Sequence, residues 1–483
     1  MTDLRPGQPP LTLCRARKNR QDVGTVDDQE RAERSARGRR IADSLAERDV
    51  AAVAVTFVDT SGIARVKGVP TGAFERAAGW GVGATPVFDA FGSDDSIAAT
   101  SVANPAGDLR LLPDLDRVVP LAGQPGWAWA PADRFGQDGA PHPGCSRLLA
   151  SRMVDRMAER GLAVRSAFEV EWIVYAGGDP DNPMPATAGP AYGMTKLIEA
   201  SDYTVELLHA LSAQGIEVLQ LHPEYSPGQF ELSVAAESPV AAADTAVLVR
   251  TTIRAVAARH GLAVSFAPAV FPGGVGNGGH IHLSVERDGR NLFAGGDRRH
   301  GLTGAAEAFV AGTLARLPAL LAVGAPSVAS YLRLLPSHWA GAYACWGLEN
   351  REAAVRLVTG SVGEHDTAAN VELKCFDQGA NPYLLTAAVL AAGLAGLDER
   401  AELPEPVGLD PASLSDDERA SLGVTRLPTA LVDSVAAFTA EPALTEAFGP
   451  ELTETLLAVR RAEIDRFAGA GPEEIIAATR WKY

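Results

Sequence analysis

The chain has 483 residues, 46% apolar and 21% charged, with a mean hydropathy of +0.02, the proportions of a folded globular protein rather than a disordered or fibrous one. A net charge of −17, from 43 Lys+Arg against 60 Asp+Glu, excludes a general nucleic-acid binder, which needs positive charge to displace phosphate counterions. Four cysteines (Cys14, Cys145, Cys345 and Cys375) lack CxxC spacing, which excludes a disulfide framework or zinc ribbon and predicts a reducing, cytoplasmic setting.

Residues 1–27 carry Pro, Gly and Arg without apolar periodicity and read as a flexible tail. Residues 28–49 read as a polar helix whose arginines alternate with acids, a solvated face rather than a nucleic-acid arm. At Val53, Val55 and Phe57 the period changes to two. Asp59-Thr60-Ser61-Gly62 then turns the chain and Ile63–Val69 runs back, a hairpin signal. We therefore expect a small β-rich domain over 28–125 and one large α+β domain over 126–483. In the second, short strands at Ala167–Tyr175, Ile216–Gln220, Gln229–Val234, Ala263–Ala267 and His280–Val285 alternate with helices. One helix has Ser238 as N-cap, Pro239 in its first turn, an apolar run to His260 and Gly261 past its end. Asn381-Pro382 starts another, and an amphipathic helix spans about 449–468. The apolar run Leu384–Leu397 is too short to cross a bilayer, so no membrane association is expected.

Four segments carry chemistry. In AFEVEWIVY, Glu169 and Glu171 stand at i and i+2, one face of a strand, and two facing carboxylates need a cation or raised pKa values. Glu224 and Glu231 flank a Ser-Pro-Gly turn. His280 and His282 follow a glycine-rich loop at i and i+2, either a ligand pair or satisfied structural histidines. Glu372 precedes a helix start, and Arg333, Arg351 and Arg356 lie upstream in a segment suited to clamping phosphate or carboxylate. Five glutamates with imidazole suit Mg²⁺ or Mn²⁺ rather than zinc or iron–sulfur. Two such ions near each other make phosphoryl transfer from a nucleotide the natural reaction class.

Taken as a set and in order, AFEVEW, HPEYSPGQFE, GNGGHIH, YLRLLP, NREAAVR, VELK and NPY resemble the glutamine synthetase family, class I-like, over roughly residues 40–483. FVDTSGIARVKGVP resembles that family's opening. The resemblance implies an α+β fold: a small N-terminal β-grasp domain, then a large catalytic domain with an antiparallel sheet flanked by helices, glutamine synthetase/guanido kinase-like. It implies a carbon–nitrogen ligase that activates the γ-carboxyl of glutamate with ATP, using two or more Mg²⁺ or Mn²⁺ ions. It implies a homo-oligomer as well, stacked hexameric rings (a dodecamer) being common in the family. Glu171, Glu224 and Glu231 match ligands of one metal, and Glu169, His280 and Glu372 ligands of the other. Arg333 and Gly276 match glutamate-binding positions, Arg351 and Arg356 serve the phosphoryl group, and Ser284 falls at a nucleotide-pocket position. Asp89 and Asp108 resemble acids bordering the ammonium site, the first reaching a neighbouring subunit.

Three positions depart from the pattern. Trp339 replaces the flap glutamate that takes the ammonium proton, Lys374 replaces an arginine, and Val275 replaces a polar residue before the glutamate-binding glycine. An indole is no base but stacks on carbon chains and cations. The expected acceptor is therefore an organic amine, polyamine or monoamine. The alternatives are an ammonia-using glutamine synthetase and a non-catalytic sensor or structural relative.

Overall fold

In the computed structural model of the protein, which describes residues 25–103, 105–177 and 180–483, the period-two pattern at Val53 and Val55 becomes a hairpin. Strands β1 (Ala52–Val58) and β2 (Ala64–Pro70) pair antiparallel with Val53 opposite Val69, burying both valines under the polar helix Asp28–Ala46. Strands β3 (Val82–Ala84), β4 (Leu109–Pro113), β5 (Val119–Pro120) and β6 (Trp127–Gly136) complete a six-stranded sheet of order β2-β1-β6-β4-β3, with β5 on β6. Its central strand β6 lies past residue 125 and pairs parallel with β1. The expected boundary therefore falls one strand early: Pro120 and Pro125 mark a turn inside the unit, not its end. Of the expected tail, residues 1–24 lie outside the described residues, while Val26 is buried against Leu112, Phe135 and Leu148.

The larger unit holds two sheets where one antiparallel sheet was expected. Strands β7 (Ala163–Phe168) and β8 (Val170–Ala176) were read as one run, but the chain breaks at Glu169 and each half joins a different sheet. With β9 (Val218–Pro223), β10 (Gln229–Val234) and β11 (Leu262–Ser265), β8 forms an antiparallel sheet of order β11-β8-β10-β9. The other sheet comprises β12 (Ile281–Arg287), β13 (Arg290–Asn291), β14 (Tyr343–Leu348), β15 (Ala353–Val358), β16 (Asn370–Leu373) and β17 (Thr425–Arg426), with β7 on β12. Its β14–β15 pair is parallel.

The helix over Pro239–Arg259 has Ser238 as N-cap, and Gly261 takes a φ of 67° just past its end, as expected. Asn381 caps the helix Pro382–Glu399 by accepting from the backbone N–H of Tyr383 and Leu384. Most of this helix is buried, which accounts for its apolar run. The last long helix, Pro442–Arg466, is interrupted at Gly449, so the expected start at 449 is its second half. Among the described residues no single helix is long and apolar enough to cross a membrane. The bent pair Gly304–Ala315 and Leu317–Gly324 is apolar enough together but largely buried in the core. The three described cysteines are buried free thiols.

The hairpin turn docks the small sheet onto the large unit. Asn381 Nδ2 donates to the carbonyls of Val58 and Asp59 at 3.1 and 3.0 Å, and Arg460 to that of Thr60 at 3.0 Å. Gly62 has a φ of 81°, and a Cβ there would lie 2.0 Å from Gly379 O, so only glycine allows this approach. The turn thus braces residues 377–381, which lie directly behind the site.

Candidate active site

Sheet register draws the acidic residues into two rows. Across β8, β10 and β9, Glu231 stands opposite Glu171 on one side and His222 on the other. Across β15, β16 and β12, Glu372 stands opposite Arg356 and His282. Glu169, at the crossing between the sheets, joins the rows: its backbone N–H donates to His280 O at 3.0 Å. Like charges placed directly opposite destabilise a sheet unless something cationic intervenes.

The cations in the metal-free chain are imidazoles, Lys374 and arginines. His280 Nδ1 lies 3.0 Å from Glu169 Oε2 and 3.1 Å from Glu372 Oε1, and its Nε2 lies 3.7 Å from Glu171 Oε1. His282 Nε2 lies 3.1 Å from Glu169 Oε1. His222 Nε2 lies 3.2 Å from Glu231 Oε1, and its Nδ1 3.5 Å from Glu224 Oε1. Glu372 also meets Arg356 Nη1 and Lys374 Nζ, each at 3.0 Å.

Buried polar groups hold this arrangement. Gln229 Nε2 donates to Glu171 Oε2 and Gly276 O, both at 3.0 Å, and the Gly278 N–H donates to the same Glu171 oxygen at 2.9 Å. Gln378 Nε2 takes up the carbonyls of Glu169 at 2.8 Å and Gly278 at 2.9 Å, so the strand break leaves no stranded acceptor there. Lys196, fully buried, donates to the carbonyls of Glu224, Tyr225 and Ser226 and fixes the β9–β10 turn. A Cβ on Gly276 would lie 1.8 Å from Pro268 O, and one on Gly278 2.3 Å from His280 Nε2. At these two positions the glycine-rich loop serves close packing.

The titration of these groups follows their surroundings. Burial, then Glu171 and Glu231, pushes Glu224 up to about 7. The Glu231 hydrogen bond, against burial, raises His222 to about 9. Burial opposes ionisation of Glu372, but Lys374, His280 and His282 hold it well below the usual carboxylate range. Glu169 is likewise lowered, its burial outweighed by His282 and His280. Burial lowers His282, yet Glu169 and Glu372 carry it to about 9.

A cavity of about 540 Å³ opens on the cluster. Its lining brings together Glu169, Glu171, Glu224, Glu231, His280, Glu372, Gly276, Arg333, Arg351, Arg356, Lys374 and Trp339 from the sequence reading, together with Val275. Arg333 is buried, its Nη2 3.2 Å from His280 Nε2, and its Nη1 has no hydrogen-bond partner, a donor left for an anionic ligand. Arg351 is exposed at the cavity. Ser284 stands on the half-buried face of β12 that also carries His282, outside the cavity lining.

Asp89 and Asp108 are not brought to the cavity within the chain. Asp89 is buried with Arg134 Nη1 at 2.6 Å. Burial would raise it, but Arg134 and His142 hold it below the usual range. Asp108 sits half-exposed just before β4, 3.9 Å from Arg110 Nη2. Sequence reasoning did not select His222, Gln229, Lys196, Gln378 or Tyr192. His222 was legible in principle, two residues before Glu224 on a strand.

Whether the residues suit divalent cations is decided by donors. Glu169, His282 and Glu372 place ligand atoms within 4.8 Å of one another, and so do His222, Glu224 and Glu231. These sets differ from the expected ones, bringing in His282 beside His280 and His222 beside Glu171. His282 Nε2 faces Glu169 Oε1 at 3.1 Å, while its Nδ1 is steadied by Asn370 Oδ1 at 2.9 Å, the outer-shell support common to metal-binding imidazoles. Carboxylate and imidazole donors of this kind fit Mg²⁺ or Mn²⁺.

Residues 143–476 match the family model described as glutamine synthetase, catalytic domain. The gamma-glutamylpolyamine synthetase GlnA3 of Streptomyces coelicolor is 56% identical over 448 residues, 92% of this chain and 96% of its own length. A glutamate–methylamine ligase of Methyloversatilis universalis is 30% identical over 434 residues, 85% of this chain and 92% of its own. Among solved structures, a novel glutamine synthase homolog superposes with a TM-score of 0.81 at 34% identity, covering 90% of this chain and 99% of that one. An ADP complex of GmaS gives 0.78 at 28% identity, covering 89% and 96%.

Proposed function

The chain belongs to the glutamine synthetase family, and from that premise we propose that it is an ATP-dependent ligase joining the γ-carboxyl of glutamate to an organic amine, polyamine or monoamine, by way of γ-glutamyl phosphate. The observation that carries the acceptor assignment is that Trp339, Val275 and Lys374 line the same cavity as the acidic cluster. The donor end keeps its carboxylates, imidazoles and arginines, whereas the acceptor end has exchanged a carboxylate for an indole. The similarity to a polyamine synthetase and a methylamine ligase supports the same reading.

Glu169, Glu372 and the two β12-side histidines would hold one divalent ion, and Glu171, Glu224, Glu231 and His222 the other. Bound there, Mg²⁺ or Mn²⁺ neutralises phosphate charge and polarises the transferring group. Arg333, with its free Nη1, receives the α-carboxylate of glutamate beside Gly276. Arg351 and Arg356 stabilise charge building on the phosphoryl oxygens, and Ser284 extends the nucleotide side along β12. The attacking amine must first lose a proton. Trp339 cannot accept it, so the neutral fraction of the amine is the reactive one and turnover rises with pH towards the amine's own pKa. On this reading the N-terminal sheet is the family's β-grasp, and the working form is a cytoplasmic homo-oligomer of stacked rings, in which Asp89 and Asp108 face a neighbour.

Phosphate release is measured with ATP, Mg²⁺ and glutamate against ammonium and a panel of amines. Faster release with at least one amine than with ammonium is expected. Fastest release with ammonium would return the protein to glutamine synthesis, and no release with any acceptor would favour a non-catalytic role.

A further inference from the structure

Three aromatic side chains at the cavity mouth are left about half exposed. Tyr192, Tyr225 and Trp339 are 56%, 45% and 41% exposed. Tyr192 and Trp339 line the cavity, and Tyr225 lies against Trp339 with ring centroids 5.3 Å apart and planes inclined by 50°. Tyr192 and Trp339 also take left-handed backbone, φ 56° and 53°, a region disfavoured for bulky side chains. Each is held there by a specific bond. The Tyr192 N–H points to Glu224 O at 3.4 Å, and the Trp339 N–H donates to Glu352 Oε1 at 2.8 Å. Tyr225 is fixed through its carbonyl by Lys196 at 3.1 Å.

Strained, exposed aromatics grouped at the entrance to a polar cavity make sense when a ligand covers them. Ring faces stack on methylene groups and attract ammonium ions, while they offer an anionic ligand nothing. The acceptor's reacting nitrogen must enter the cavity, so whatever trails behind it crosses these rings.

We propose that Tyr192, Tyr225 and Trp339 form a collar that holds the distal, non-reacting part of the acceptor, its methylene chain and a second ammonium, so that the enzyme selects amines by length and by a second positive charge. Glu352 acts through Trp339 as a positioning residue. The inference rests on the amine-acceptor reading above.

Linear polyamines are compared with n-alkyl monoamines of matching length, by steady-state phosphate release. In the parent, kcat/KM favours the polyamine over its matched monoamine. In Tyr225→Leu and Trp339→Leu that preference falls at least tenfold, through KM rather than kcat, with unfolding temperature showing that the fold persists. Glu352→Ala lowers the preference as well, and Glu352→Gln restores it, because an amide oxygen still accepts the Trp339 N–H. A preference unchanged in both leucine variants, or an equal loss for every amine, overturns the collar while leaving amine ligation standing. A parent that turns over no amine, or ammonium fastest, overturns the amine reading itself.

Discussion

Binding of a divalent cation should release protons, because His222 and Glu224 hold them near neutral pH. In the metal-free chain His222 is raised to about 9 and Glu224 to about 7. A cation accepts only the neutral imidazole and the ionised carboxylate. At pH 7, about one molecule in a hundred therefore presents an unprotonated His222, and Glu224 is about half ionised. The sign follows: protons compete with the metal, so affinity rises with pH. Apparent Mg²⁺ affinity should climb roughly tenfold per pH unit above 7 and level off near 9, about a hundredfold in all. Titration calorimetry in two buffers of different ionisation heat counts the protons released, about 1.5 at pH 7 from these two groups together. The variant His222→Gln should bind more weakly at pH 9 and lose most of the slope. An affinity flat from pH 7 to 9 in the parent, or a slope that survives His222→Gln, would refute the placement of His222 at a metal.

Three further outcomes are expected. Replacing Glu372 with Gln keeps the volume but strips the shared counter-charge from Arg356, Lys374 and His280. The metal-free chain should lose about 3–5 kcal/mol of stability, read by thermal unfolding, and glutamate-dependent phosphate release should be abolished. Gly278→Ala would place a Cβ 2.3 Å from His280 Nε2 and 2.6 Å from Glu171 Oε1, so Mg²⁺ affinity should fall about tenfold or more with secondary structure by circular dichroism unaltered. Trp339→Glu restores a carboxylate at the acceptor end, and the ratio of ammonium- to amine-supported phosphate release should rise by about tenfold, a shift of about 1.4 kcal/mol in acceptor discrimination. An unchanged ratio would remove Trp339 from that role.

Local signals carried much of this protein. The hairpin at Val53–Val69, the Ser238–Gly261 punctuation and the Asn381 cap are short-range devices whose physics lies within a few residues, and each was legible as written. The acidic cluster was legible too, because carboxylates and histidines in strand-like runs have no apolar use and must converge on something cationic. Tertiary structure alone decided which groups meet. Glu169 and Glu171 looked like neighbours on one strand face, but the chain changes sheets between them, and that crossing is set by pairing to β12 and β10, over fifty residues away. His222 joins the cluster through its register with Glu231, and Asp89 is ion-paired with Arg134, 45 residues later in the chain. Strand pairing and ion pairing act across space, between segments whose separation along the chain carries no signal. A sequence can therefore name the chemical groups of a site, while the fold settles their partners and their charge.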